Sequence, residues 1–305
     1  MIVDCSEASL ERAARIIRGG GLVAFPTETV YGLGANALDA SAVRRIFDIK
    51  GRPLTSPLIV HAAHAEMARS VSAEWSEIAA ELARRFWPGP LTIVVPKAAA
   101  IPMIVTAGLQ SVGIRVPSHP AALALIRACG VPLAAPSANR FMQLSPTTAR
   151  HVEEALGRDV DLILDGGPTQ VGIESTVVSL VRQPPAVLRP GMISVQELED
   201  ATGIQWDGKP AAAGVSESPG MHPRHYAPRT PFYVLEPGAP LPAGNGRIIE
   251  MPWDARAYAA CLYAELHQAD TEGWDWIAVE LPPDSPEWAG VLDRLEKAST
   301  RLPRA

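Results

Sequence analysis

Short apolar runs recur through the first two hundred residues, and stretches with helical spacing of apolar positions lie between them. Leu22-Val23-Ala24-Phe25, Leu58-Ile59-Val60-His61, Leu91 to Val95, Val112 to Val116, Leu162 to Leu164, Ser175 to Leu180 and Ala186 to Leu188 have the length and composition of buried strands. Ser6 to Arg18 carries Leu10, Ala13, Ala14, Ile16 and Ile17 at helical spacing and stops at Gly19-Gly20-Gly21. Further helices are predicted for Ala40 to Ile49 behind a cap at Asp39, for Glu74 to Phe86 before Trp87-Pro88-Gly89-Pro90, and for Pro120 to Cys129 with Gly130 as the C-cap. Strands and helices mixed around one large core predict an α/β or α+β sheet domain.

This pattern ends near residue 208. The stretch KPAAAGVSESPGMHPRHYAPRTP is rich in Pro, Gly, Ala and Ser and has little apolar periodicity. The residues after it hold four of the seven tryptophans, so they have a core of their own. A unit of about 75 residues is marginal alone, and docking on the first domain or on the linker is expected. The expected division is 1–208 as the main domain, 209–230 as a linker and 231–305 as a small C-terminal domain.

The net charge of −6 is unevenly spread. Residues 1–208 carry 18 Lys and Arg against 20 Asp and Glu, residues 209–230 carry 3 against 1, and residues 231–305 carry 6 against 12. No basic field forecasts wholesale nucleic-acid binding. Any anion site has to come from a few well-placed cations. Cys5, Cys129 and Cys261 lie far apart with no CxxC, which argues against a disulfide framework or a zinc site and suits a reducing cytoplasm. No run of 18 apolar residues predicts a membrane span, and the N-terminus lacks a signal-peptide pattern. There is no GxxxxGK[ST] loop, no GxGxxG after the first strand, no GxSxG and no HExxH.

Five stretches share one character: an apolar strand beside small hydroxyls or cations, with Gly or Pro nearby. Ligands of open sheets sit beyond strand ends, where loops present such groups. FPTETVYGLG offers the hydroxyls of Thr27, Thr29 and Tyr31, and Gly32 and Gly34 allow close backbone approach; a Thr-rich turn capped by Glu28 is the alternative. Lys50-Gly51-Arg52-Pro53, with Ser56 and His61 following, reads as a phosphate clamp or as cations capping a helix end. In SVGIRVP, Ser111, Gly113 and Arg115 share a strand face, and Arg115 needs an anion there, from an ion pair or from a ligand carboxylate. PLAAPSAN is too small and polar for an ordinary core strand; Ser137, Asn139 and Ser145 can hydrogen-bond a flat ligand, and Ser145-Pro146 also has the form of a helix start. The last stretch runs from Asp165-Gly166-Gly167-Pro168 to Glu174-Ser175-Thr176-Val177-Val178 and on to Leu188-Arg189-Pro190-Gly191. Together these supply cations and hydroxyls but no nucleophile or metal cage. Such a set suits a small polar acid and a nucleotide held side by side, with catalysis by positioning and charge stabilisation.

The series FPTETVYGLG, KGRP, PLIVH, FWPGPLT, VGIRVPSHP, APSAN, SPTTA, ILDGGP, ESTVV, LRPG and SPGM-x-x-RHYAP resembles the YrdC-domain family, and within it the long two-domain threonylcarbamoyl-AMP synthases of tRNA modification. The resemblance is dense over residues 5–230 and loose beyond. It implies a twisted, open, mixed α/β sheet with a concave cleft, followed by a small Rossmann-like α/β domain, with the linker threading over the cleft. It implies condensation of L-threonine, bicarbonate and ATP to L-threonylcarbamoyl-AMP and pyrophosphate, with Mg²⁺ carried by the ATP phosphates and no metal ligand from the protein. A tRNA threonylcarbamoyl transferase complex would take the product, and weak tRNA contact is compatible with that. The matching positions for L-threonine are Thr29, His61, Arg115, Ala135 and Ser175. Those for ATP are Lys50, Arg52, Ser56, Ser111, Ser137, Asn139, Ser145, Arg189 and Tyr226, with Lys50 and Arg52 as the catalytic cations. The sequence departs from the family pattern after APSAN, where Arg140-Phe141-Met142-Gln143 replaces a short Ser-Gly loop. An RNA- or nucleotide-binding module of the same fold without turnover is the alternative. It has no need of the small-acid pocket that Thr29, Arg115 and Ser175 suggest. A hydrogenase-maturation factor contains a related domain but carries zinc-finger cysteine pairs, which this chain lacks.

Overall fold

The computed structural model describes residues 1–207 and 225–300. Among them, ten strands build one sheet: β1 (Ile2–Asp4), β2 (Val23–Phe25), β3 (Gly32–Asn36), β4 (Ile59–His61), β5 (Leu91–Pro96), β6 (Ser111–Arg115), β7 (Leu133–Ala134), β8 (Leu162–Asp165), β9 (Thr176–Ser179) and β10 (Ala186–Arg189). Their order is β1-β8-β2-β3-β7-β4-β6-β5-β9-β10, with parallel and antiparallel pairs mixed. The helices of this part are α1 (Glu7–Arg18), α2 (Ala40–Lys50), α3 (Ala65–Ser70), α4 (Glu77–Phe86), α5 (Pro120–Cys129), α6 (Ala149–Leu156) and α7 (Val195–Thr202). Strand β2 is buried throughout because cores lie on both faces of the sheet: Leu22 and Ala24 join one, Val23 and Phe25 the other.

Local chemistry explains most element ends. Ser6 caps α1 through Ser9 N, and Asp39 caps α2 by accepting from Ser41 N and Ala42 N. Gly51 ends α2 at φ 62°, a left-handed turn that suits glycine and sends the chain toward β4. Three readings need correction. Gly34 in FPTETVYGLG does not clear space for a ligand: a Cβ there would lie 2.7 Å from the Phe25 ring, so the glycine lets that ring cross β3. Ser145-Pro146 does not start a helix. Thr148 caps α6 through His151 N, while Ser145 is fully buried and turned elsewhere. The Tyr31 hydroxyl donates to Gly167 O at 2.7 Å, away from the other hydroxyls of its turn.

The C-terminal part has a three-stranded parallel sheet, β11 (Phe232–Leu235), β12 (Gly246–Ile249) and β13 (Trp276–Glu280), in the order β11-β13-β12. Helices α8 (Ala255–Asp270) and α9 (Ala289–Ala298) pack with it. Residues 209–224 of the expected linker lie outside the described residues. The small domain docks as expected. Its core of Phe232, Tyr258, Tyr263 and Leu266 also takes in Val30, Leu144 and Ile173 from the large domain and Tyr226 from the linker.

At this junction His151 of α6 stacks on His267 of α8, with ring centroids 3.9 Å apart. His267 Nε2 donates to Ser145 O at 3.1 Å. Burial, then the neighbouring His267, pushes His151 down to about 4, and burial lowers His267 too. A histidine whose folded pKa lies below its unfolded value contributes stability that is complete above about pH 6.5 and drains as the pH falls through the folded value. The melting temperature should therefore fall between pH 6.5 and 4, and His151→Gln should flatten part of that slope. An unchanged slope in the variant would exclude the pair as a source.

Candidate functional site

The ends of β4, β6 and β10, the start of β9 and the β2–β3 turn open on one buried pocket. It is lined by Thr27, Thr29, Val30 and Gly32 from the turn, Ile59 and His61 from β4, Arg115 from β6, and Ala135, Pro136 and Ser137 from the APSAN loop. Arg52, Glu174, Ser175, Arg189, His225 and Tyr226 complete the wall. The registry explains part of this: β4 and β6 run parallel with His61 beside Arg115.

In the turn, Thr27 Oγ1 donates to Val30 O at 2.6 Å and lies 2.9 Å from Thr29 Oγ1. This fixes Thr29, whose Oγ1 accepts from Arg115 Nη1 at 2.9 Å. Arg115 Nε donates to Gly89 O, and Nη2 lies 2.7 Å from Glu28 Oε1. That last contact is a charge pair set off the N–H direction. It leaves Nη2 and both Glu28 oxygens without a hydrogen bond among the described residues. The ion-pair reading of Arg115 is thus realised, in a guanidinium that borders the pocket. His61 is 4% exposed; burial, then Arg115, drives it down to about 3, so its imidazole is neutral at physiological pH.

The cations divide. Arg52 donates to Ser56 O, to Ser56 Oγ at 2.5 Å and to Pro57 O, which holds its guanidinium at the pocket wall. Burial lowers it to about 10, with Tyr226 opposing, and it remains charged. Lys50 does not line the pocket. Its Nζ is buried under the APSAN loop, donating to Ser137 O at 2.6 Å and to Asn139 O and Oδ1. Burial first, and then Arg52, pushes Lys50 well below the ordinary lysine range. Asn139 in turn donates to Gln143 O at 2.7 Å and braces the same loop. On the other wall Arg189 donates to Ser175 O from Nε and Nη2, and to Ser175 Oγ from Nη2. Ser175 Oγ also meets Thr92 Oγ1 at 2.7 Å.

Among the residues singled out in the sequence, Thr29, Arg52, His61, Arg115, Ala135, Ser137, Ser175, Arg189 and Tyr226 meet in this pocket. Lys50, Ser56 and Asn139 stand behind its wall. Ser145 Oγ donates to Glu174 Oε1 at 2.5 Å and reaches the site through that side chain. Ser111, at the far end of β6 from Arg115, lines a separate small cavity with Thr92, Thr106 and Val177; the two hollows share Ile59. Sequence reasoning gave no role to Glu174 or His225, and it named Thr27 only as one of the hydroxyls of its turn. Glu174 carried a signal: a lone acid between Ile173 and a hydroxyl cluster, in a stretch that reads as buried. His225 is 5% exposed and packs edge-on to Phe141 of the divergent loop, which also lies under Arg52.

Three guanidinium groups and a row of hydroxyls around a neutral imidazole can hold carboxylate and phosphate groups. None of the three cysteines lines the pocket, so covalent thiol catalysis has no support. Comparison with known proteins gives this geometry a setting. The Sua5/YciO/YrdC family model, described as "Telomere recombination", matches residues 15–191, and the model "Threonylcarbamoyl-AMP synthase, C-terminal domain" matches residues 193–300. The threonylcarbamoyl-AMP synthase of Pyrococcus abyssi is 49% identical over 96% of this chain and 94% of its own length. That of Bacillus subtilis is 39% identical over 97% and 94%. The crystal structure of P. abyssi Sua5 complexed with L-threonine superposes with a TM-score of 0.90 and 39% identity, covering 98% of this chain and 97% of that one. On this evidence the chain belongs to the Sua5/YciO/YrdC family, in its two-domain form with the threonylcarbamoyl-AMP synthase C-terminal domain.

Proposed function

We propose that the protein condenses L-threonine, bicarbonate and ATP to L-threonylcarbamoyl-AMP and pyrophosphate, the first step of threonylcarbamoyladenosine formation in tRNA. The observation that carries this reading is the meeting of Arg52, Arg115 and Arg189 with Thr29, neutral His61 and Ser175 in one buried pocket. The relatives named threonylcarbamoyl-AMP synthase and the L-threonine complex of a 39% identical protein support it.

Arg115 draws the threonine carboxylate to its side of the pocket, and Thr29, His61 and Ser175 surround the substrate's polar groups. The neutral amine of threonine attacks the bicarbonate carbon, and water leaves. A carbamate oxygen then attacks the α-phosphorus of ATP, and pyrophosphate leaves. Arg52 and Arg189 offset charge on the phosphates, while Lys50 holds the loop that carries Ser137. Carbamates are labile in water, so the buried setting protects the intermediate, with His225 and Tyr226 of the linker as its cover. Magnesium would enter with the nucleotide, held by its phosphates, since the pocket's polar side chains are cationic or neutral apart from Glu174. A tRNA threonylcarbamoyl transferase complex would consume the product in the cytoplasm; among the described residues no helix is long and apolar enough to cross a membrane.

Incubated with MgATP, labelled bicarbonate and threonine, the protein should release pyrophosphate only when threonine is present and should place label in an adenylate. Folded protein that releases none would refute the reading, and RNA binding without turnover would favour the binding-module alternative.

A further inference from the structure

Arg294, on α9 of the small domain, is fully buried and reaches into the wall of the large domain's pocket. Its Nε donates to Glu174 Oε2 at 2.8 Å, its Nη2 to Glu174 O at 3.1 Å and its Nη1 to Pro190 O at 2.8 Å. These acceptors flank the reacting site: Ser175 follows Glu174, and Arg189 precedes Pro190. Arg189 in turn holds Ser175 O, so a single side chain of the C-terminal domain closes a knot around both pocket loops. The guanidinium also lies 5.4 Å from the ring of Tyr226, the linker residue on the opposite side.

The surroundings are built for this contact. Glu174 is completed by Ser145 Oγ on one oxygen and by the Tyr263 hydroxyl, 3.1 Å away, on the other. A Cβ at Gly290 would lie 2.6 Å from Gly191 O, so α9 sits on the Pro190-Gly191 backbone at a distance that only glycine permits. Asp293 shares Arg294 with Glu174 and is itself held by Lys297.

We propose that Arg294 is a positioning residue of the synthase site: through it the C-terminal domain sets the placement of Ser175 and Arg189 and keeps Glu174 turned out of the phosphate-binding space. For its substrates this rests on the synthase reading; for the loops it rests on geometry alone. A lysine at 294 keeps the charge but offers three donors from one point, and it cannot span Glu174 and Pro190 as a planar fork does.

The test is Arg294→Lys in the full chain, read by amide hydrogen exchange over residues 174–177 and 189–193 and by the threonine and ATP dependence of pyrophosphate release. Expected results are exchange at least tenfold faster in both segments, unchanged exchange in α1 and β2, and a threonine KM raised tenfold or more. Wild-type protection of both segments overturns the proposal whatever the pocket binds, and so does faster exchange with unchanged KM for both substrates. If Arg294→Lys does not fold, Glu174→Gln with Arg294→Met removes both buried charges. Faster exchange at 189–193 in that protein supports the proposal, and wild-type protection there overturns it. A wild-type enzyme that shows no threonine-dependent pyrophosphate release defeats the synthase reading instead, and the exchange measurement still decides the role of Arg294.

Discussion

Arg115→Ala raises the dissociation constant for L-threonine about 100-fold and leaves that for ATP within about threefold. A hydrogen bond to a charged group contributes about 1.5–3 kcal/mol, and about 1.4 kcal/mol is one decade in affinity. Loss of the guanidinium that faces the carboxylate therefore costs one to two decades, before the misplacement of Thr29 is counted. Stability falls as well, because Glu28 is left buried without its counter-charge. Truncating one member of such a pair typically costs about 3–5 kcal/mol. The two effects separate in Glu28→Gln with Arg115→Met, which buries no charge. That protein should recover most of the lost melting temperature and none of the threonine affinity. Isothermal calorimetry with threonine and with ATP checks the claim, and equal losses for the two ligands would remove Arg115 from the amino-acid side of the pocket.

How far such a site can be read beforehand depends on whether its geometry is local. Helix α5 was legible to the residue because Pro120 opens it and Gly130 closes it at φ 68°. Strand β7 was not, since two residues carry no periodicity. Strand β3 hid because Gly-Leu-Gly has no β-branched character; its glycines answer to the Phe25 ring, a neighbour across the sheet. The pocket was legible as separate polar strand ends. Their convergence needed only that the strands share a sheet, and parallel β4 and β6 bring His61 beside Arg115. Lys50 and Arg52 looked like equal partners at spacing i, i+2. The left-handed Gly51 between them sends one under the APSAN loop and the other to the pocket wall. The link between Glu174 and Arg294 spans 120 positions and two domains. Arg294 shares the buried face of α9 with Val291, Leu295 and Ala298, so its burial was readable, but its partner was not.

Lys50→Met weakens ATP binding about 100-fold through the APSAN loop, with threonine absent from the assay. Lys50 is 3% exposed and its Nζ faces Ser137 O, Asn139 O and Asn139 Oδ1, all on one loop. Methionine fills most of the same space, so packing is nearly conserved, but two backbone carbonyls lose their donor. Each buried acceptor left unpaired costs about 1–3 kcal/mol, enough to release the loop that carries Ser137 and Pro136 into the pocket wall. The loss should therefore appear together with faster amide exchange over residues 135–141 and a lower melting temperature. Arg52→Met provides the contrast. Its guanidinium borders the pocket, gives its hydrogen bonds to Ser56 and Pro57 and meets the loop at the Phe141 ring, so it should weaken ATP binding while loosening residues 135–141 far less than Lys50→Met does. If Lys50→Met also loses ATP affinity with that segment as protected as in the wild type, Lys50 acts on the phosphates directly, and its bonds to the loop describe only where it waits.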